Sequence, residues 1–223
     1  MNTSYGRGMI ISQGRRYIFI HPPKTGGTSL ALALEARAMK DDIMLGDTPK
    51  AVRRRRRMKH VQSSGRLWKH SKLRDIYGVV TQDQIDAYFI VTLVRNPWDR
   101  LVSYYHWLKA QHFDHPAVDL AHALTFSEFL NHQHTIDSFV AAPIESYVQD
   151  QNGRERCDLF ARTEALSVDL APFEAHLGFK LGPMPHENKS DRHTDYRSYY
   201  SDSDAGLVAD ICSRDVQRFS YKF

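Results

Sequence analysis

The segment from Tyr17 to Arg37, YIFIHPPKTGGTSLALALEAR, constrains the fold more than any other part of the chain. Its apolar run Tyr17–Ile20 suits a strand buried on both faces, and such strands belong to parallel sheets covered by helices. Two prolines, a lysine, two glycines and two hydroxyl residues come next, before a stretch rich in Leu and Ala that favours helix. A strand, a glycine-rich turn and a helix in that order make an anion site. The turn presents backbone N–H groups, and the helix dipole adds positive potential. Gly26 and Gly27 let the backbone approach an anion closely; Thr25, Thr28 and Ser29 add donors, and Lys24 adds a mobile charge.

A second apolar run, Tyr88–Val94 (YFIVTLV), leads into Arg95-Asn96-Pro97, where Asn96 is suited to cap a helix and Pro97 to open it. The spacing predicts that this helix buries Trp98, Leu101, Val102, Tyr105 and Leu108. Strands are expected over Arg15–His21 and Asp158–Ala161. Helices are expected over Ser29–Met39, Thr81–Asp86 with Thr81 as cap, Thr125–His132, Ile144–Val148, Glu164–Leu177 ending at Gly178, and Asp202–Ser213. The aromatic end, Phe219–Phe223, is expected to dock on the core. Strands alternating with helices predict an α/β protein, a three-layer α/β/α arrangement around a central parallel sheet, as a single domain over residues 1–223.

Charge and composition remove several function classes. The net charge is +4, but Arg53–Arg57 supply five positive charges; without them the balance is −1. The basicity is therefore local, a solvated run that could guide an acidic partner or substrate. No interleaved aromatics accompany it, so no nucleic-acid partner is expected. No apolar run approaches the roughly 20 residues of a membrane helix, and no secretory signal is apparent. Two cysteines, Cys157 and Cys212, form no ligand spacing or disulfide framework and fit a reducing cytoplasm. His112, His115, His132 and His134 lack a supporting Cys or carboxylate pattern, so no metal site is expected.

The turn is not the nucleotide loop G-x-x-x-x-G-K-[ST], because here the lysine precedes the glycines. A phosphotransferase of that type also needs an acidic residue for Mg²⁺, whereas Tyr88–Val94 runs into Arg95. A cation there repels a metal and attracts a second anion. The pattern suggests a ligand phosphorylated at two places whose transferred group needs no metal.

These segments carry a resemblance. IHPPKTGGTSL (Ile20–Leu30) is similar to the 5′-phosphosulfate loop of sulfotransferases that use 3′-phosphoadenosine-5′-phosphosulfate (PAPS). LVRNPWDRLVSYY (Leu93–Tyr105) is similar to the 3′-phosphate segment of the carbohydrate-type branch of that family. WKHSKLRDIYG (Trp68–Gly78) resembles that branch's segment bearing a histidine base, although Ser71 and Lys72 stand where a small residue and a threonine are usual. CDLFARTEAL (Cys157–Leu166), with Thr163 in place of the usual aromatic, and the tail from Pro185 also fit.

The resemblance implies a P-loop-NTPase-like sulfotransferase fold and PAPS as donor. Lys24 would stabilise the leaving oxygen, and Thr25, Gly26, Gly27, Thr28 and Ser29 would hold the 5′ end. Arg95 and Ser103 would hold the 3′-phosphate, with Arg162 and the Asn188–Arg192 segment closing over the nucleotide, and His70 would act as base. The acceptor would be a hydroxyl, first of all on a carbohydrate, with a small alcohol or a lipid head group also open, and an anionic glycan would suit Arg53–Arg57. A Mg²⁺-dependent phosphotransferase, or a non-catalytic protein binding a nucleotide or an acidic polymer, are the alternatives.

Overall fold

The computed structural model describes residues 8–55, 58, 60–182 and 192–223. Arg56 and Arg57 of the arginine run lie outside them, as does the stretch from Pro183 to Asp191, which holds the PHENKS part of the tail motif and all of the Asn188–Arg192 segment except Arg192.

Strands β1 (Met9–Ser12), β2 (Tyr17–Ile20), β3 (Ile43–Leu45), β4 (Phe89–Val94) and β5 (Leu159–Arg162) form one sheet in the order β3-β1-β2-β4-β5. The helices in the first part of the chain are α1 (Gly27–Ala36), α2 (Pro49–Arg55), α3 (Gln82–Ala87), α4 (Pro97–Lys109), α5 (Pro116–Ala123), α6 (Phe126–Asn131) and α7 (Gln133–Val140). After them come α8 (Leu166–Asp169), α9 (Ala171–Leu177), α10 (Asp202–Ile211) and α11 (Ser213–Phe219).

The chain divides into two compact units. The first comprises Met1–Val94 with Glu145–Glu187, the second Arg95–Ile144 with Asn188–Phe223. The first unit contains the sheet. Strands β2, β4 and β5 run parallel, whereas β1 pairs antiparallel with both β2 and β3. The sheet is thus mixed, which corrects the expectation of a wholly parallel one. The cause is local: β1 reaches β2 through Gln13–Arg16, closed by Arg16 N–H donating to Gln13 O at 3.3 Å. A connection that short can join only antiparallel strands.

One face of the sheet carries Ile10, Tyr17, Phe19, Val91, Leu93 and Ala161. They pack with Leu30, Ala31 and Leu34 of α1, and with Leu170 and Phe173 of the α9 region. Ile18, Ile20 and Ile90 point to the opposite face and are equally buried, so the sheet is covered on both sides as a three-layer fold requires. Thr81 caps α3 with a reciprocal Thr81–Gln84 box, as its sequence predicts. The single helix expected over Glu164–Leu177 is instead broken: a short 3₁₀ turn, then α8, then α9 restarted with Pro172 in its first turn and closed at Gly178 (φ 76°).

The second unit is helical. Asn96 caps α4, its Oδ1 accepting from Trp98 and Asp99 N–H, and Pro97 opens the helix. Trp98, Leu101, Val102, Tyr105 and Leu108 are all buried, joined by Phe126, Phe129, Leu130, Val208 and Cys212. Phe223 packs on Trp98, Tyr196 and Tyr200 with ring centroids 5.5–6.1 Å apart, so the aromatic end does dock on this core.

Candidate active site

The parallel strands direct their carboxyl ends to one edge of the sheet, the place where α/β sheets bind ligands. The turn after β2 carries Lys24 to Ser29. Two residues in it adopt left-handed backbone, Gly26 at φ 77° and, against the preference of a side chain, Lys24 at φ 63°. A non-glycine residue in that region costs about 1–3 kcal/mol and persists only where neighbours enforce it. The neighbours are visible. Thr25 is fully buried and its Oγ1 donates to Pro22 O at 2.9 Å, while Thr163 Oγ1 donates to Thr25 O at 2.5 Å. The same hydroxyl lies 2.9 Å from Val94 O, so Thr163 ties the turn to the end of β4.

The turn leaves no room for larger residues. A Cβ on Gly27 would lie 2.2 Å from His21 Cδ2, and one on Gly26 would lie 2.8 Å from Thr163 Cγ2. Helix α1 begins at Gly27 with no side-chain cap and no acidic residue in its first turn. Its dipole makes this end favourable for an anion, with Lys24 beside it, while Ser29 N–H donates to Gly26 O at 3.3 Å.

His70 is brought to this turn through His21. Its Nδ1 lies 2.7 Å from His21 O, and the two imidazoles are 4.9 Å apart at 69°. A carbonyl oxygen only accepts, so Nδ1 carries the proton, and in the neutral ring Nε2 becomes the basic nitrogen. Trp68 packs edge-on against the other side of His70, 5.1 Å away at 89°. Next to His70, Ser71 has a structural part: it is fully buried, accepts from Trp68 N–H and has Arg66 O and Trp68 O within hydrogen-bond reach of its hydroxyl.

Arg162 ends β5, opposite Val94 in the register. Its guanidinium is engaged bidentately with Asp169, Nε to Oδ2 at 2.8 Å and Nη2 to Oδ1 at 2.9 Å, and its own N–H donates to the same carboxylate. The Arg162 guanidinium therefore holds Asp169 below the ordinary carboxylate range, outweighing burial. In this arrangement Arg162 anchors the turn that presents Thr163.

Arg95 and Ser103 belong to the second unit. Arg95 donates from Nε and Nη2 to Asp99 Oδ2 at 2.8 and 2.7 Å, and Arg192 Nη2 donates to Asp99 Oδ1 at 2.6 Å. Two guanidinium groups thus share one carboxylate. Arg192 Nη1 is buried and finds no hydrogen-bond acceptor among the described residues. A buried charged donor in that state is costly unless a ligand meets it. Ser103 is buried within α4.

The structure thus joins Lys24–Ser29, His70 and the Arg162–Thr163 turn within one unit, and gathers Arg95 with Arg192 in the other. Sequence reasoning missed His21, Thr163 as a tie, and Asp99. For His21 and Thr163 the available signal was position, since each stands next to a strand end.

An α/β sheet with a glycine turn at the end of a parallel strand and an oriented imidazole alongside is a layout suited to an anionic ligand. Comparison with known proteins gives the class its name. The model of the sulfotransferase family matches residues 1–222, and the chain belongs to that family. The resemblance read from the two anion motifs is borne out at that level, and the phosphotransferase alternative is not carried further. Among solved structures, the chain is similar to mouse sulfotransferase SULT7A1 complexed with PAP. The identity is 14%, with 90% of this chain and 83% of that one covered and a TM-score of 0.50. That likeness speaks for the fold. No curated protein sequence matches the chain. No helix among the described residues is long and apolar enough to cross a membrane.

Proposed function

We propose that this chain, acting as one domain over residues 1–223, transfers a sulfuryl group from PAPS to an acceptor hydroxyl on a carbohydrate. The observation that carries the proposal is the Nδ1–H bond from His70 to His21 O, which leaves Nε2 as the base beside a turn that disfavours any residue but glycine. Three features fit the donor: the uncapped N-terminus of α1, the left-handed Lys24, and the buried Arg192 Nη1 beside Arg95. The solved PAP complex of a protein with the same fold supports the same choice.

Bound at the turn, PAPS supplies the sulfuryl group and leaves as the 3′,5′-bisphosphate. His70 Nε2 takes the proton of the acceptor hydroxyl as its oxygen bonds to sulfur. Lys24 places its ammonium at the bridging oxygen, which receives the electron pair of the breaking S–O bond, and the N–H groups of Gly26–Ser29 hold the adjacent phosphate. Arg95 and Ser103, with Arg192, hold the 3′-phosphate. Thr25 and Arg162 keep the turn in shape. Two free thiols and no disulfide among the described residues support a reducing, cytoplasmic setting.

The test is His70→Ala, with adenosine 3′,5′-bisphosphate titrated by calorimetry in metal-free buffer. Turnover with PAPS falls about 10²–10⁴-fold, the range of a lost general base, while the bisphosphate binds as in the wild type. Unchanged turnover would remove His70 as base. Failure of the wild type to bind the bisphosphate would remove the donor assignment.

A further inference from the structure

The arginine run has no part in the transfer chemistry, and its first residues, Arg53, Arg54 and Arg55, form the last turn of α2. Arg54 Nη1 donates to Asp42 O at 3.1 Å. Lys50, four residues earlier on the same face of the helix, donates from Nζ to Glu35 O at 2.8 Å. From Asp42 a line of hydrogen bonds leads to two more arginines. Asp42 Oδ1 accepts from Ser12 Oγ at 2.7 Å, and the same hydroxyl accepts from Arg15 N–H at 3.3 Å. Arg15 Nη1 in turn donates to Arg37 O at 2.7 Å. The guanidinium carbons of Arg15 and Arg37 lie 5.3 and 5.1 Å from the centre of one ring, Phe179, which brings both cations to the same spot.

Among the described residues, none of Arg15, Arg37, Lys50 and Arg54 has a carboxylate within ion-pair distance. The acids nearby are engaged: Asp42 is enclosed by Ser12 Oγ and Met39 N–H, and Glu35 receives the Thr48 hydroxyl. Asp41 is the exposed acid of this stretch. Arg16, next to Arg15 in the turn between β1 and β2, has φ 53°, a left-handed backbone that glycine adopts more readily, so the turn holds a further cation against local preference. Apolar side chains stand among these charges. Met39 is 41% exposed and its sulfur lies against Gly14, the neighbour of Arg15, while Val52 of α2 is 39% exposed.

We propose that this face docks on an anionic lipid bilayer, the guanidinium groups of Arg15, Arg37 and Arg54 meeting lipid phosphates and carboxylates while Met39 enters the headgroup layer. A guanidinium laid on an aromatic ring keeps its in-plane N–H groups for the forked bonding that phosphate oxygens accept. Clustered cations with exposed apolar neighbours bind such surfaces by charge at a distance and by burial at contact. A soluble acidic polymer would answer the charge and leave Met39 in water, and on that difference the two partners separate. The face lies at the amino end of β2, whereas the glycine turn follows the carboxyl end of the same strand. Helix α1 runs back from that turn to Arg37, a span of about 15 Å at 1.5 Å per residue. Docking therefore leaves the turn open to its ligand.

Vesicle flotation of the full chain tests this. The probes are phosphatidylcholine vesicles, mixed phosphatidylcholine–phosphatidylserine vesicles, and dextran sulfate as a soluble polyanion. The wild type is expected to bind the mixed vesicles at least about tenfold more tightly than phosphatidylcholine alone, and to be released as salt rises. Replacing Arg15, Arg37 and Arg54 together by Gln should weaken that binding about tenfold or more. Met39→Gln should weaken it about threefold and leave dextran sulfate binding unchanged. Melting temperature and titration with adenosine 3′,5′-bisphosphate report whether each variant is folded. If the triple variant does not fold, Arg37→Gln alone, which keeps the carbonyl that Arg15 bonds, carries the comparison and should lose about threefold. Equal binding to the two vesicle types, or wild-type binding in folded variants lacking these cations, would overturn the proposal. So would a Met39→Gln protein that matches the wild type on vesicles; with dextran sulfate bound through the same arginines, that result would assign the face to a soluble polyanion instead.

Discussion

Thr163 offers the sharpest test of how the anion turn is held. Its hydroxyl is the donor to Thr25 O at 2.5 Å, and Thr25 itself is fully buried. Thr163→Val keeps the branched shape against Gly26 but removes the donor and leaves that carbonyl facing a methyl group. An unsatisfied buried carbonyl costs about 1–3 kcal/mol. In a chain of 223 residues each kcal/mol corresponds to about 2–4 °C in melting temperature.

The same bond helps to enforce the left-handed backbone at Lys24, a conformation that itself stores about 1–3 kcal/mol. Releasing it lets the turn relax away from its binding shape. If about 1.4 kcal/mol of preorganisation is lost, affinity for adenosine 3′,5′-bisphosphate drops tenfold. Thr163→Ser restores the hydroxyl and should recover most of both effects. Arg162→Ala is the comparison: it breaks a pair whose arginine side chain is 52% exposed, and such pairs contribute about 1 kcal/mol or less. Differential scanning calorimetry with nucleotide titration reads all three. A Thr163→Val protein that melts and binds as the wild type, or is less affected than Arg162→Ala, would refute the argument that this hydroxyl shapes the turn.

Gly27→Ala drives a Cβ to within 2.2 Å of the His21 ring, so bisphosphate affinity and turnover should fall together; an alanine variant with normal kinetics would show that the cradle is slack. Burial pushes the Cys212 thiol up to about 12, with Asp215 adding to the rise and Arg100 opposing it. At pH 8 the thiolate fraction is then about one in ten thousand, so iodoacetamide should label Cys157 and spare Cys212 until urea unfolds the chain; equal rates in the native protein would contradict this. Asp204, at the start of α10, is buried, which alone would raise its carboxyl. Bonds from Asn131, Ser127 and Ser201 outweigh burial and hold it below the ordinary aspartate value. A depressed native value stabilises above the unfolded value of about 3.9 and is lost as pH falls through it. The wild type should therefore lose melting temperature between pH 5 and 3 more steeply than Asp204→Asn, and parallel curves would remove Asp204 from the acid response.

The parts of the fold that could be read in advance are those where short-range chemistry and burial agree. Tyr17–Ile20 and Phe89–Val94 are almost wholly apolar because both of their faces are buried, and Asn96-Pro97 and Thr81 announce helix starts by satisfying N–H groups. Strands β1 and β3 were not legible, because MIIS and IML are too short to show a period and gain their pairing from each other across about thirty residues. The break in the helix expected over Glu164–Leu177 is of the same kind. Its apolar spacing runs on through Pro172, but that proline cannot sit inside a continuous helix and instead opens a new one, while the Arg162–Asp169 pair turns the chain back at the end of β5.

The site divides along a related line. The glycines, Lys24 and Arg95 are proposed from sequence because phosphate chemistry favours such residues at a strand end. His70 could be singled out only by resemblance, since nothing local separates it from eleven other histidines. What distinguishes it is a bond to the carbonyl of His21, 49 residues away, and that bond does more than locate the ring. It fixes which nitrogen is basic. His21 thereby acts twice: its backbone sets the tautomer of His70, and its ring closes the space that makes Gly27 obligatory. The arrangement couples the glycine turn to the His70 imidazole through one residue. A substitution such as His21→Ala should therefore weaken nucleotide binding through the turn while leaving the His70 tautomer intact, because the carbonyl remains. A bell-shaped rate profile that keeps its acid limb in His21→Ala, with lowered bisphosphate affinity, would separate the two functions; an acid limb that shifts would show that the ring, and not the carbonyl, tunes the base.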